Sequence, residues 1–157
     1  MEHVFAFLVC MFIVVVFGLF SIFAVRSMYT SQNTFLQEEA ALALRQLLES
    51  PLNESKNPPT IGIAMENHPY MINMTAVQRL KNVVLKNDAA YEANKTGLVS
   101  SEDDFRIILY NGTTYIILGK NMTRSRVASV VGYAYCPPTN DFCRKGNITV
   151  KVVVTGD

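Results

Sequence analysis

The chain of 157 residues has no tryptophan and only two histidines, His3 and His68. Two imidazoles on opposite sides of a long apolar run cannot converge on one metal ion or one substrate. Its 14 Lys and Arg and 13 Asp and Glu leave a net charge of +1, so no basic stripe marks a nucleic-acid partner. Also absent are G-x-S-x-G, H-E-x-x-H, a P-loop and G-x-G-x-x-G. The expectation is a protein that is not an enzyme, with no catalytic residues, no metal ligands and no cofactor. The acids Glu102, Asp103 and Asp104 lack the alternating D-x-D-x-D-G spacing of a calcium loop and read as a solvated turn before a strand.

Basic residues are missing where they would matter most. None of the 14 precedes Arg26, whereas Val4–Val25 (VFAFLVCMFIVVVFGLFSIFAV) is apolar throughout, broken only by Cys10, Gly18 and Ser21. As a helix these 22 residues would measure about 33 Å, the hydrocarbon thickness of a bilayer. A cleaved signal peptide would have a shorter apolar core, basic residues ahead and a small-residue cleavage site behind, and RSMYTSQNTF offers no such site. A retained span is expected.

The remainder reads as exported. Cys136 and Cys143 close the short segment YCPPTNDFC without further ligands nearby, which favours a disulfide and points to an oxidising, extracytoplasmic compartment, or to a hyperthermophile where that rule is relaxed. The acceptor pattern N-x-S/T occurs six times beyond the span, at Asn53, Asn73, Asn94, Asn111, Asn121 and Asn147, so N-linked glycans are expected. This topology conflicts with the positive-inside rule, because Glu2 and His3 lie on the inner side and Arg26 on the outer. A basic leader removed ahead of Met1 would resolve the conflict.

Two domains are expected. Residues 1–50 form one long N-terminal helix, since Met28–Ser50 contains neither proline nor glycine. Its second half is amphipathic, with Leu36, Ala40, Ala43 and Leu47 on one side, and Pro51 ends it. Residues 51–157 form a β-rich head after the polar linker PLNESKNPPT. Thr75 and Gln78 suggest a capping box opening a short helix, with Val77, Leu80 and Val84 on one face. Strands are expected at Phe105–Tyr110, Thr113–Leu118, Arg126–Tyr135 and Ile148–Thr155, the first two joined by a type I′ turn at Asn111-Gly112. Tyr110, Tyr115, Tyr133 and Tyr135 read as interface aromatics or as sheet cover. The fold class is therefore α+β, a long helix packed on a small antiparallel sheet.

An apolar helix with an early acid, continued as an amphipathic helix and followed by an exported β-rich head, resembles the type IV pilin superfamily. Leu47–Pro51, Gly62–Ala64, Thr75–Leu85 and Phe105–Leu109 follow in the order seen in archaeal pilin-like exported proteins. The resemblance implies a leader cut by a prepilin peptidase, extraction from the membrane by an assembly machinery, and a helical homopolymer outside the cell. Copies of the chain are then its partners, and the assembly residues are Met1, Glu2, Phe5, Phe12, Phe17 and Phe20. The acid that bacterial relatives carry at the fifth mature position is here Phe5, and the early acid is Glu2. The implied function is a structural subunit of an adhesive filament. The alternative is a single-pass surface glycoprotein that stays in the membrane as a minor pilin or assembly factor.

Overall fold

The computed structural model describes residues 2–122 and 126–156, with the backbone alone at 2–10 and 28–32. Helix α1 runs Glu2–Glu49, and the chain divides into two compact units between Phe35 and Leu36. In the first unit the described side chains are almost all exposed, including the large apolar ones from Met11 to Val25. Ser21 donates its hydroxyl to the Phe17 carbonyl at 2.8 Å, so the one hydroxyl of this stretch is satisfied within the helix itself. Part of the expected span, Val4–Cys10, lies outside the described side chains. Among the described residues no helix is long and apolar enough to cross a membrane.

The second unit opens with the amphipathic end of α1. Leu36, Ala40, Ala43, Leu44, Leu47 and Leu48 are buried in the core, while Glu38, Leu42 and Arg45 stay exposed. The expected stripe is thus present and widened by Leu44 and Leu48. Pro51 disfavours helical geometry before it, and α1 stops at Glu49. The open carbonyls of Leu47 and Ser50 accept from the amides of Ile63 and Ala64 at 2.9 and 3.2 Å, so the returning chain closes the helix end. Gly62 permits this approach, since a Cβ there would lie 2.0 Å from the Ser50 carbonyl oxygen.

Six strands follow: β1 (Ala64–Met65), β2 (His68–Ile72), β3 (Asp104–Tyr110), β4 (Tyr115–Gly119), β5 (Arg126–Tyr135) and β6 (Asn147–Gly156). Their order across the sheet is β1-β2-β5-β6-β3-β4. The fold is α+β as expected, but the sheet is mixed rather than antiparallel. β2 joins β5 in parallel through Met71 and Tyr135, whereas the other neighbours pair antiparallel. Neither β1 nor β2 was expected, because β1 has two residues and β2 (HPYMI) has Pro69 and no alternating pattern. On the inner face Phe105, Ile107 and Leu109 of β3 meet Ile148, Val150, Val152 and Val154 of β6, all buried. Each fully buried side chain of this size contributes about 1.5–3 kcal/mol relative to exposure.

Local chemistry shifts two boundaries. The hairpin at Asn111-Gly112 forms, but Tyr110 pairs with Tyr115 and leaves a four-residue connection. A type I′ turn needs positive φ at both centre residues; Gly112 has φ +95°, but Asn111 is not among the positive-φ residues. Instead the Asn111 side-chain oxygen accepts from the amides of Thr113 and Thr114, which draws both residues out of the strand. Helix α2 (Met74–Arg79) is capped by Asn73, whose side chain accepts from the amides of Thr75 and Ala76, rather than by the expected Thr75 box. It passes into a π-helical turn, Leu80–Val84, and Val77, Leu80 and Val84 are buried as expected. A further helix, α3 (Asp88–Asn94), is capped by Asn87.

Candidate assembly and glycosylation surfaces

The residues singled out for assembly all fall in the first unit or at its start. Met1 lies outside the described residues, and the side chains of Glu2 and Phe5 lie outside the described ones. Phe12, Phe17 and Phe20 are about 70 % exposed, and so is Phe23. At 3.6 residues per turn Phe12, Phe20 and Phe23 fall within about 80° of each other around the helix. Phe23 completes this aromatic side, and its spacing from Phe12 and Phe20 was the signal for it. Valines 14, 15 and 16 and Ile22 are also exposed, so apolar groups look outward on every side of the described stretch.

The six acceptor asparagines do not stand alike. Asn53, Asn121 and Asn147 are exposed. Asn73 is half-buried and its oxygen caps α2. Asn94 turns its amide nitrogen inward, donating to the Val84 carbonyl at 2.9 Å. Asn111 does the same toward the Phe142 carbonyl at 3.0 Å. The nitrogen that would carry a sugar is therefore already used inside the fold at Asn94 and Asn111. The sequence pattern is blind to this, because it records the triplet and not where the amide points.

Cys136 and Cys143 form a disulfide, and both are buried. The segment between them carries a short 3-10 turn, Asp141–Cys143, capped by Asn140, whose side chain accepts from the Cys143 amide.

No family model, no curated protein and no solved structure matches the chain.

The acidic run does not behave as a solvated turn. Glu102 is exposed, but Asp103 and Asp104 are buried. The Ser100 hydroxyl donates to Asp103 at 2.5 Å, and the Ser100 amide donates to Glu39 of α1 at 2.6 Å. Burial and the neighbouring Asp103 carboxyl raise the Glu39 carboxyl above its ordinary value. Asp104 faces the buried Lys95 amino group at 3.4 Å, and Lys95 reaches Glu92 at 2.9 Å. Lys120 joins Glu92 from the other side at 2.9 Å, and these two lysines hold the Glu92 carboxyl down at about 2. Tyr91 accepts from the Phe105 amide at 2.7 Å, and burial pushes its hydroxyl well up. These groups tie α1 and α3 to the start of β3. Among the described residues no group of three or more His, Cys, Asp and Glu could hold a metal ion.

Proposed function

We propose that the chain is a structural subunit of an extracellular, type IV pilus-like filament serving adhesion or surface attachment. The observation that carries this reading is the run Met11–Val25, whose large apolar side chains are exposed around a helix while the rest of the chain has a core of its own. Such side chains are stable against lipid or against copies of themselves, each contributing about 1.5–3 kcal/mol when covered. Before assembly the helix rests in the membrane as a single span. After extraction, copies pack their helices around Phe12, Phe17 and Phe20, and an interface that does not close on itself grows into a helical filament.

Three further features support the reading. The order of segments resembles archaeal pilin-like proteins. A disulfide suits an exported head. The acceptor asparagines Asn53, Asn121 and Asn147 are exposed to solvent, as N-linked sugars require. On this reading a prepilin peptidase and an assembly machinery act on the chain, and Glu2 neutralises an N-terminal amine in the apolar core.

The test is electron microscopy and mass spectrometry of material sheared from cells. Filaments containing this chain are expected. A chain confined to the membrane fraction would instead support the single-pass surface glycoprotein. Sugar is expected at Asn53, Asn121 and Asn147, and little at Asn94 and Asn111, when transfer follows folding.

A further inference from the structure

The outer face of the sheet carries a band of tyrosines in register. Tyr115 lies beside Tyr110, Tyr110 beside Thr149, and Thr149 beside Tyr133, so one row crosses β4, β3, β6 and β5. Tyr110 and Tyr115 are stacked with centroids 4.5 Å apart. In the next row Asn147 lies directly opposite Tyr135. Asn147 and Thr149 are the acceptor and hydroxyl positions of a single N-x-T triplet. Side chains two apart on a strand share a face, so both functional residues of the triplet stand on the tyrosine side, each opposite one ring.

A groove of about 360 Å³ opens at this corner, lined by Pro69, Tyr70, Met71, Tyr133, Tyr135 and Asn147, with no charged side chain in its wall. Tyr133 is 75 % exposed and Tyr135 45 %. Gly146, with φ +77°, brings the Tyr135 ring against the residue before the acceptor, since a Cβ there would lie 3.0 Å from that ring. The ring is thus held beside the point where a sugar would be attached.

We propose that the glycan carried by Asn147 folds back over this groove and stacks its first sugar rings on Tyr133 and Tyr135. The proposal rests on the exported, glycosylated reading of the head and adds what the glycan does there. The occupant is an uncharged pyranose chain that starts in the groove wall, so little entropy is lost in bringing it to the rings. The C–H bonds of one pyranose face are weakly positive and pack on the negative face of an aromatic ring. The opposite sugar face and its hydroxyls stay in water. An uncharged wall suits such a ligand and offers nothing to an ionic one. The covered tyrosines would otherwise leave an apolar patch on the head.

The experiment is peptide-resolved nitration of tyrosines with tetranitromethane on full-length chain from a glycosylating host, compared with Asn147→Gln and Thr149→Ala. Both variants remove the triplet while leaving every tyrosine in place. Tyr133 and Tyr135 are expected to react several-fold faster in both variants than in the glycosylated chain, with Tyr115 unchanged as the internal reference. Equal rates at Tyr133 and Tyr135 in a chain that mass spectrometry finds glycosylated at Asn147 would overturn the proposal. An Asn147 peptide bearing no sugar would overturn it as well. Neither result touches filament formation, which microscopy of the same samples reads separately.

Discussion

Two stretches of α1 carry large apolar residues and treat them in opposite ways. From Leu36 to Leu48 all of them but Leu42 are buried against the head's own sheet and loops, and Leu42 shares the exposed side with charged residues. From Met11 to Val25 they are exposed all round, with no charged residue among them. Patterning explains the difference. A helix with one apolar stripe can be satisfied by one surface of its own chain, whereas a helix apolar on every face needs a surrounding. The two stretches should therefore fail in different experiments.

The largest effect is expected from a charge in the upstream stretch. Phe17→Asp places a carboxylate among side chains that assembly would bury, where an unpaired charge is not tolerated. Filaments should be lost altogether in electron micrographs, while the head keeps its disulfide and its thermal transition. Normal filaments from this variant would remove Met11–Val25 from the assembly interface.

The reverse dissociation is expected downstream. Leu47 is fully buried, and Leu47→Ala should lower the head's unfolding free energy by about 2–5 kcal/mol in denaturant titration. Phe12→Ala, by contrast, should leave that transition within about 0.5 kcal/mol of the parent. Equal losses from both would mean that the two stretches share one cooperative core. The Cys136–Cys143 bond closes a short loop, with a separation of 7 residues. Replacing both cysteines by serine should cost roughly 2–4 kcal/mol of head stability and leave assembly unaffected wherever the head still folds.

The same contrast explains how far the amino-acid sequence could be read. Periodicity located the Leu36–Leu47 stripe and the strands β3, β5 and β6, because each has a buried side that repeats at the helix or strand period. Cysteine spacing located the disulfide. Strand β2 escaped, since its pairing with β5 in parallel depends on a loop folding back and leaves no alternation in His68–Ile72. The cap of α2 was misplaced by two residues: Asn73, not Thr75, accepts from the first free amides of the helix. Asp103 and Asp104 looked like a solvated turn because their partners, Ser100 and Lys95, are brought to them by the fold. Six acceptor triplets were legible as a pattern, but only the fold distinguishes an exposed Asn147 from an Asn94 whose amide is engaged.

The smallest expected effect is a pH dependence confined to the head, where two acids act with opposite sign. Glu92 is held at about 2 by Lys120 and Lys95, below the ordinary 4.5. A folded-state value below the unfolded one means that its contribution is present above pH 4.5 and is lost as pH falls toward 2. Glu39 is raised above 4.5 by burial and by Asp103, so the folded head binds that proton more tightly than the unfolded chain. Its contribution is present below pH 4.5 and is lost as pH rises through the raised value. Thermal melts across this range should find a shallower acid limb in Glu92→Gln and a flatter slope just above pH 4.5 in Glu39→Gln. Solvent screens both groups, so each shift should be small. Residues 11–25 contain no titratable side chain, so filaments should persist through the same pH range in which the head's stability moves. Filaments that dissolve in step with the titration of Glu92 or Glu39 would show that head contacts, not the apolar helices, hold the subunits together.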